Sequence, residues 1–489
     1  MNRAIAVLAG ALVTYFVLTF IEKQDFIVFI EFLFGTSADG YVNLRALILI
    51  IGMLFIVQIC HSSGVFQVIG FKLIQLSNGK PFYLLFVLCS LSLFLSAILN
   101  NILTVIILIP LTIVASRILG INPSPYIIAE AIMVNVGGIM FSISSIPNIL
   151  ITTYAGISFG DFFLNVGLFA LVLFGITIAF FRFFYRNKLM IPKEKFTKVL
   201  QDFNIWNYVP DKRLFYKSIF VLLITMVCFA VIPPTILSSD IIAISGGIGL
   251  VIISKLNGRE IIKNIDLELI LYLLGIFVIT GAMESVGVID WIGAGFIGLT
   301  GSNSLVAILF ILWASAFLSS TIDNIPITKV LIPIVDVMSS GFTPSEANAS
   351  YYSLAFGANL GDNLTPLGDN ILVMNLAEQN ERPITYSQFF KLGFIATIIQ
   401  LIAISIYFIL LNDIIIGMLI FAIFILIFFM GNVLRKLKAY TKKEEELLFR
   451  RYWMKLKRRD FITELNLLVR KILTKIKNFI MQIIGVGRK

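Results

Sequence analysis

The chain has 489 residues, of which 58% are hydrophobic and 13% are charged, and its mean hydropathy is +0.97. Soluble domains have about 45–50% apolar and about 25% charged residues, so this composition excludes a soluble globular fold and indicates a polytopic membrane protein. The net charge of +10 comes from residues 432–489, which have 17 Lys and Arg against 5 Asp and Glu, whereas the rest has 21 against 23. The body therefore lacks the basic excess that a nucleic-acid partner requires.

The first apolar run, residues 4–20, is predicted to be a retained span, because no small-residue cleavage site follows it. A span needs about 20 apolar residues. The first half of the chain, residues 1–232, has spans at 4–22, 43–60, 162–185 and 214–232, a re-entrant hairpin at about 82–119 and a broken helix at about 126–157. The second half, residues 240–433, has spans at 240–254, 266–286, 390–411 and 413–433, a hairpin at about 304–338 and a broken helix at about 347–378.

Both halves have the same order of elements, so we predict an all-α polytopic membrane protein built from two repeats, with about 10 full spans and 2 hairpins. If both termini are cytoplasmic, 35 of the 38 Lys and Arg fall on the cytoplasmic side, and the exceptions are Lys23 and Arg45 outside and Lys329 within the second hairpin. The first hairpin then enters from the cytoplasm and the second from outside, which makes the repeats inverted, as in many secondary transporters. We expect a multi-pass integral protein of the plasma (cytoplasmic) membrane.

The two hairpins carry related polar sequences. The second contains Asp323-Asn324, with Pro333 further along, and the same pattern occurs 223 positions earlier, where Asn100-Asn101 precedes Pro110. The broken helices also match, because each has an Asn-x-Gly sequence and a later Asn. Non-helical backbone in a membrane is tolerated only where protein or water surrounds it, since each unpaired amide costs several kcal/mol. We therefore predict that these four breaks meet and form the substrate and ion site.

The candidate residues differ chemically between the halves. The first half offers amides, hydroxyls and a glycine: Asn100, Asn101, Thr104, Asn135, Gly138, Ser145 and Asn148. The second half adds ionisable groups: Asp323, Asn324, Thr328, Lys329, Asp362, Asn363, Thr365, Asp369 and Asn370. Each ionised group at mid-membrane costs roughly 2.5–3.5 kcal/mol, which indicates pairing, a bound cation or a bound proton.

Two interpretations of these charges remain open. In the first, Asp323, Asp362 and Asp369 bind Na⁺ or H⁺ as the coupling ion, and Lys329 neutralises a carboxylate across the site. In the second, the same groups lie in aqueous vestibules or form structural pairs. No other cofactor and no structural metal are expected, because Cys60, Cys89 and Cys228 lie far apart in apolar segments.

At these motifs the chain resembles the ArsB/NhaD-type permeases of the ion transporter superfamily, which include arsenite efflux permeases, sodium–proton antiporters and relatives of citrate and dicarboxylate carriers. Asn100-Asn101-Ile-Leu-Thr104 resembles the family's first hairpin, and Asp323-Asn324-Ile-Pro326 its second. Asn135-Val-Gly137-Gly138 and the sequence from Gly361 to Gly368 resemble its unwound segments. The resemblance implies a homodimer in which hairpins and broken helices move against a scaffold.

These observations predict a secondary active transporter of a small ion, coupled to H⁺ or Na⁺ by alternating access. It would be an Na⁺/H⁺ antiporter-like protein or a permease for arsenite or another inorganic anion. The alternatives are a citrate/dicarboxylate-type anion carrier and, in another class, an ion channel. We expect no enzymatic activity, because the chain has a single His and no His-Glu-x-x-His sequence.

The end of the chain has a different character. Residues 434–489 are predicted to form a cytoplasmic tail, in which apolar residues recur every three or four positions among Lys and Arg. That pattern is typical of a basic amphipathic helix, which would bind the anionic membrane surface or a partner.

Overall fold

A computed structural model of the chain describes residues 3–77, 80–186, 209–368 and 370–419, together with the isolated residues 189, 206, 470, 471 and 474. The chain divides into two compact units, Met1–Asn412 and Asp413–Lys489. The second unit therefore begins where the last span, 413–433, was predicted. Residues 420–433 of that span and nearly all of the predicted tail lie outside the described residues. The first unit contains every candidate site residue.

All regular structure among the described residues is helical. The helices before residue 232 are α1 (Arg3–Phe20), α2 (Phe26–Phe34), α3 (Val42–Ser62), α4 (Val65–Leu76), α5 (Pro81–Ser96), α6 (Asn101–Leu119), α7 (Ser124–Gly137), α8 (Ile146–Ala155), α9 (Phe159–Phe162), a π-helical turn (Phe163–Gly167), α10 (Leu168–Tyr185) and α11 (Lys212–Val231). Those after it are α12 (Ser239–Ser254), α13 (Gly258–Lys263), α14 (Leu267–Ser285), α15 (Val288–Thr300), α16 (Ser304–Ser319), α17 (Asn324–Ser339), α18 (Pro344–Gly361), α19 (Asn370–Gln379) and α20 (Tyr386–Asn412).

Seven helical segments of the described chain are long and apolar enough to cross a bilayer, which agrees with the all-α membrane fold class. They are Arg3–Phe20, Val42–Ser62, Asn101–Leu119, Phe159–Tyr185, Lys212–Val231, Leu267–Ser285 and Tyr386–Asn412. Helix breaks fall between α5 and α6, α7 and α8, α16 and α17, and α18 and α19. These are the four positions at which the sequence predicted non-helical backbone.

Four short helices, α2, α4, α13 and α15, were not predicted. Two of them occupy equivalent positions, because α4 and α15 each follow the second span of their half. Each begins after a glycine with left-handed backbone, Gly64 with φ +83° and Gly287 with φ +75°, and these glycines are 223 positions apart. Left-handed backbone favours glycine, so the same chain reversal is encoded in both halves.

Glycines bring the broken helices against the hairpins. A β-carbon at Gly137 of α7 would collide with the backbone oxygen of Leu93 and the β-carbon of Ser96, both in α5. A β-carbon at Gly361 of α18 would collide with Ala316 O and the β-carbon of Ser319, both in α16. The absence of a side chain therefore lets the end of each broken helix lie directly on the hairpin tip in its own half.

Candidate functional site

The first hairpin tip is connected to the first broken helix by hydrogen bonds. Asn101 Nδ2 donates to Asn135 Oδ1 at 2.8 Å, and Ser96 Oγ donates to Asn101 Oδ1 at 3.0 Å and to Val134 O at 2.6 Å. Asn100 caps α6, since its Oδ1 accepts from Leu103 N at 2.8 Å. The polar groups of this tip are thus satisfied by neutral partners, which are amides, a hydroxyl and the backbone.

The second half has the same arrangement around a carboxylate. The Ser319 hydroxyl, which has one hydrogen to donate, lies 2.9 Å from Asp362 Oδ1 and 2.7 Å from Ala358 O, and Asn324 Nδ2 donates to Asp362 Oδ2 at 2.6 Å. Asp362 directly follows α18, as Gly138 directly follows α7, and its side chain is buried at 2% exposure. Charge-assisted hydrogen bonds from the hairpin tip therefore hold this carboxylate.

Asparagines also connect the two halves. Asn135 Nδ2 donates to Asn363 Oδ1 at 2.7 Å, and Asn359 Nδ2 donates to Asn148 Oδ1 at 2.8 Å. The four amides are almost fully buried, with exposures of 0–2%. Asn359 begins the second Asn-x-Gly motif but was not among the predicted site residues. The structure thus brings both broken helices together at their centres.

The later Asn of each motif donates a side-chain hydrogen bond to a backbone carbonyl at the helix break. Asn148 Nδ2 donates to Gly138 O at 2.8 Å, and Asn370 Nδ2 donates to Asp362 O at 2.6 Å. These carbonyl groups lie just beyond helix ends, where no intrahelical donor reaches them. The two contacts are equivalent even though the second unwound segment is two residues shorter, as the sequence alignment requires.

Three oxygens surround the place of the missing side chain at Gly138. A β-carbon there would lie 2.9 Å from Asn101 Oδ1 and 3.4 Å from both Asn135 O and Asn359 Oδ1. Asn359 Oδ1 is buried and has no hydrogen-bond partner within the described chain. Oxygen ligands suit hard cations such as Na⁺. No cluster of three or more His, Cys, Asp or Glu that could hold a metal ion occurs in the described residues.

A small cavity of about 30 Å³ lies between the two hairpin tips. Its polar lining comes from the N-terminal ends of three helices: Asn100 and Asn101 at α6, Ser145 at α8, and Asn324 at α17. Ser145 caps α8 by accepting from Asn148 N at 3.4 Å. Helix N-termini present free N–H groups and partial positive charge, so their convergence favours an anion.

A neighbouring cavity of about 40 Å³ shares Asn100, Ser145 and Leu269 with the first. Its opposite wall is apolar and consists of Ile50, Met53, Leu54 and Val57, all in α3. The site therefore lies between the polar tips of the hairpins and the apolar surfaces of α3 and α14.

Asp323 has partners of its own, which differ from the partners of Asp362 described above. Asp323 Oδ2 lies 3.3 Å from Arg3 Nη1 and accepts from the hydroxyl of Tyr272 at 3.4 Å, and Asp323 also caps α17. Arg3 Nε lies 3.8 Å from Glu268 Oε1. Asp323 is thus neutralised by a cation at the start of α1, and the sequence analysis did not identify Arg3 as part of this region.

Lys329 also has partners of its own. Its Nζ donates to Asn43 Oδ1 at 2.7 Å and lies 5.1 Å from the centroid of the Phe277 ring. Within the described ranges Lys329 forms no salt bridge. It borders a third cavity of about 340 Å³, whose lining differs from that of the hairpin tips.

The predicted threonines act on the backbone. Thr104 Oγ1 donates to Asn100 O at 3.0 Å and Thr328 Oγ1 to Asn324 O at 2.7 Å, and Thr365 Oγ1 donates to Ser320 O at 2.5 Å. These hydroxyls stabilise the hairpin tips and do not line the cavity between them. Asp369, the remaining candidate, lies outside the described residues.

One buried acid was missed. Glu130 in α7 is 0% exposed, and its Oε1 accepts from Thr112 Oγ1 at 2.8 Å. The signal was present in the sequence, because Glu130 is the single charged residue of the segment 124–157. It lies in the part of α7 that precedes the helix break.

Comparisons with known proteins agree with this fold. The profile of the CitMHS family, described as citrate transporter, matches residues 1–350. The 46 kDa membrane protein of Mycobacterium leprae is 28% identical over 409 residues, which cover 83% of this chain and 93% of that protein. The P protein of Mus musculus is 25% identical, and the match covers 80% of this chain and 56% of that protein.

A solved structure has a similar arrangement. The YdaH transporter of Alcanivorax borkumensis, whose crystal structure is described as having an unusual topology, superposes with a TM-score of 0.53 at 15% identity. The superposition covers 75% of this chain and 84% of that chain. At this identity the likeness shows the fold alone.

Proposed function

The chain belongs to the CitMHS citrate transporter family, and we propose that it is a secondary active transporter of a small carboxylate anion, coupled to H⁺ or Na⁺. Among the predicted alternatives, this is the citrate/dicarboxylate-type carrier. We rank the Na⁺/H⁺ antiporter-like and arsenite permease interpretations below it, because helix N-termini, which favour an anion, converge between the hairpin tips.

The observation that carries the proposal is the convergence of three helix N-termini on one cavity. The described residues around the 30 Å³ cavity are all neutral, so no charge in that lining opposes the positive potential of α6 and α8, whereas the N-terminus of α17 is capped by the carboxylate of Asp323. Asp323 lies next to this cavity, but Arg3 neutralises it. A carboxylate group is the ligand that such a site attracts.

The size of the cavity indicates that the protein must move. A buried water needs about 10–15 Å³ of such space, so 30 Å³ accommodates one carboxylate group or a few waters but not a whole tricarboxylate. A larger anion can enter only when the hairpin tips separate from α3 and α14. Alternating access would supply that separation, with both hairpins and both broken helices moving together.

The coupling cation would bind next to the anion. Asp362 would supply the negative charge in the second half, and amide oxygens near Gly138, among them Asn359 Oδ1, which has no hydrogen-bond partner among the described residues, would supply neutral ligands in the first. A cation on each side of the cavity would reduce the cost of placing an anion between the halves. Asp362 is also the observation that favours the second candidate, an Na⁺/H⁺ antiporter, because antiport requires a cation site and no anion site.

Further parts of the proposal concern the whole assembly. We propose that the termini are cytoplasmic, that the protein is a homodimer in the plasma membrane, and that its basic tail binds the anionic lipid surface or a partner. The loop charges support the first of these, the family resemblance the second, and the composition of residues 434–489 the third.

The proposal is tested with purified protein in proteoliposomes. Uptake of radiolabelled citrate and succinate, Na⁺/H⁺ exchange and arsenite flux are compared under imposed pH and Na⁺ gradients. We expect saturable carboxylate uptake driven by one gradient. Exchange of Na⁺ for H⁺ without any carboxylate transport would refute the anion carrier, and gradient-independent single-channel currents would establish a channel.

Asp362→Asn tests the cation site, because it removes the charge while keeping the shape of the side chain. We expect at least a tenfold higher concentration of coupling cation for half-maximal uptake. The matched control is Asp211→Asn: Asp211 is exposed and caps α11 through Arg213 N, and Asn caps equally well. Equal cation dependence in the two variants would contradict a role for Asp362.

A further inference from the structure

We propose that Lys329 is the group that takes up and releases the coupling proton, through the 340 Å³ cavity that it borders. The inference rests on the proposed function for coupled transport, and it assigns the proton to a residue other than Asp362, whose ionised carboxylate would then serve a metal cation at the hairpin tips. The reaction is the exchange of one proton between the Lys329 amine and water in the cavity.

The surroundings of Lys329 suit a group that changes its charge. Its ammonium has one hydrogen bond to a neutral acceptor, Asn43 Oδ1 at 2.7 Å, and the face of Phe277 at 5.1 Å. It forms no salt bridge to any carboxylate in the portion of the chain that the structure describes. Burial without a salt bridge favours the neutral amine, whereas the carboxylates that line the same cavity favour the ammonium. These opposing effects suit a group that exchanges a proton.

The cavity offers a path for that proton. Carboxylates and a phenol from four different elements line it: Glu31 from α2, Asp39 from the turn before α3, Glu284 from α14 and Tyr154 from α8. On its own helix, Asp336 accepts from the hydroxyl of Tyr351 at 3.0 Å. The acidic lining would attract protons from water and repel a carboxylate substrate, so this cavity differs in chemistry from the neutral one at the hairpin tips.

The position of Lys329 connects its charge to the substrate site. It lies in α17, whose first residue, Asn324, binds Asp362. Its acceptor Asn43 lies in the first turn of α3, whose later residues Ile50 and Met53 form the apolar wall of the 40 Å³ cavity beside the proposed anion site. A protonated lysine donates a stronger hydrogen bond than an amine, so protonation stabilises the contact between the hairpin and that wall. Loss of the proton weakens the same contact.

Asp362 and Asp323 fit this role less well. Asp362 accepts hydrogen bonds from Ser319 and Asn324, and both donors are suited to its ionised form. Asp323 is paired with Arg3. Lys329 combines a neutral hydrogen-bond partner, a cavity and a position on the moving hairpin.

The experiment compares Lys329→Arg, which keeps the charge but does not titrate, with Lys329→Met, which has no charge. Two rates are measured in proteoliposomes: citrate uptake driven by a pH gradient, and citrate/citrate exchange at equal pH. We expect both variants to lose at least tenfold in gradient-driven uptake. Exchange should stay within about threefold of wild type in at least one of them. Lys263→Arg, at an exposed lysine of α13, is the matched control and should behave as wild type.

The outcomes are distinguishable. Wild-type gradient-driven uptake in Lys329→Arg would overturn the inference, as would the loss of both rates in both variants when size-exclusion profiles show folded protein. If the lysine variants do not fold, Asn43→Leu replaces them. It keeps Lys329 but removes its acceptor, and an unchanged pH profile of uptake would overturn the inference. Absence of citrate exchange in the wild-type protein would instead refute the proposed substrate.

Discussion

At the scale of single residues, Gly138 and Asp362 occupy equivalent positions but have opposite chemistry. Each directly follows the first helix of a broken pair, and each has its carbonyl group bound by the later Asn of its motif. In the second half a carboxylate lies against the hairpin tip, whereas in the first half the corresponding space is bordered by three oxygens. The sequence repeat therefore encodes one backbone geometry with two different ligand sets.

Gly138→Ala should impair transport without unfolding the protein. The new methyl group would occupy the space between Asn101 Oδ1 and Asn359 Oδ1, and both atoms belong to side chains that can shift slightly. We expect at least a tenfold loss of uptake with a nearly unchanged thermal midpoint in detergent.

Gly137→Ala, one position earlier, is the informative comparison, because its methyl group would meet the backbone of Leu93. Overpacking of this kind costs about 1–3 kcal/mol, so the thermal midpoint should fall. Gly175→Ala, which meets nothing within 4 Å, serves as the control. Normal uptake by Gly138→Ala would show that the space at Gly138 has no role in transport.

At the scale of helices, α3 and α12 are in direct backbone contact. A β-carbon at Gly52 would collide with the backbone of Ala243 and Ile244, and one at Gly247 would lie 2.7 Å from Gly52 O. The sequence analysis interpreted neither position as part of the site. Since α3 also forms the apolar wall of the 40 Å³ cavity, this contact positions that wall.

Gly52→Ala should lower the thermal midpoint, because backbone on the facing helix cannot move aside without shifting α12. We expect a loss of about 1–3 kcal/mol, measured by thermal unfolding in one detergent. Gly249→Ala lies in the same helix pair but meets nothing within 4 Å, so it should leave the midpoint unchanged. Equal midpoints for the two variants would contradict the close contact.

At the scale of the whole molecule, the orientation of the two halves decides whether both hairpin tips reach the same depth. The proposed inversion places the turn after α6 and the turn after α17 on opposite sides of the membrane. Asn122 precedes α7 and Gly341 precedes α18 at these two turns. Neither turn lies within a predicted span, so both should be accessible to reagents.

Single cysteines at Asn122 and Gly341, in a background without Cys60, Cys89 and Cys228, should react with a membrane-impermeant maleimide from opposite sides. In intact cells Gly341→Cys should be labelled, and Asn122→Cys should be labelled only after permeabilisation. Labelling of both from the same side would contradict the inverted repeat and the site between its halves.

The sequence by itself determined the membrane class, the positions of the four helix breaks and most of the polar residues at them. These features are local, because each helix satisfies its own backbone and each break shows as Gly, Pro or Asn within an apolar run. The short helices α4 and α15 were not predicted, because they have fewer residues than a membrane span needs.

Only the tertiary structure decided which polar groups share a site. It pairs Asp323 with Arg3, 320 positions away, and Lys329 with Asn43, 286 positions away. It also joins the halves through Asn135 and Asn363, 228 positions apart. Such contacts depend on the rotation of each helix about its axis and on close packing at glycines, and both are set by the partner helices rather than by local sequence.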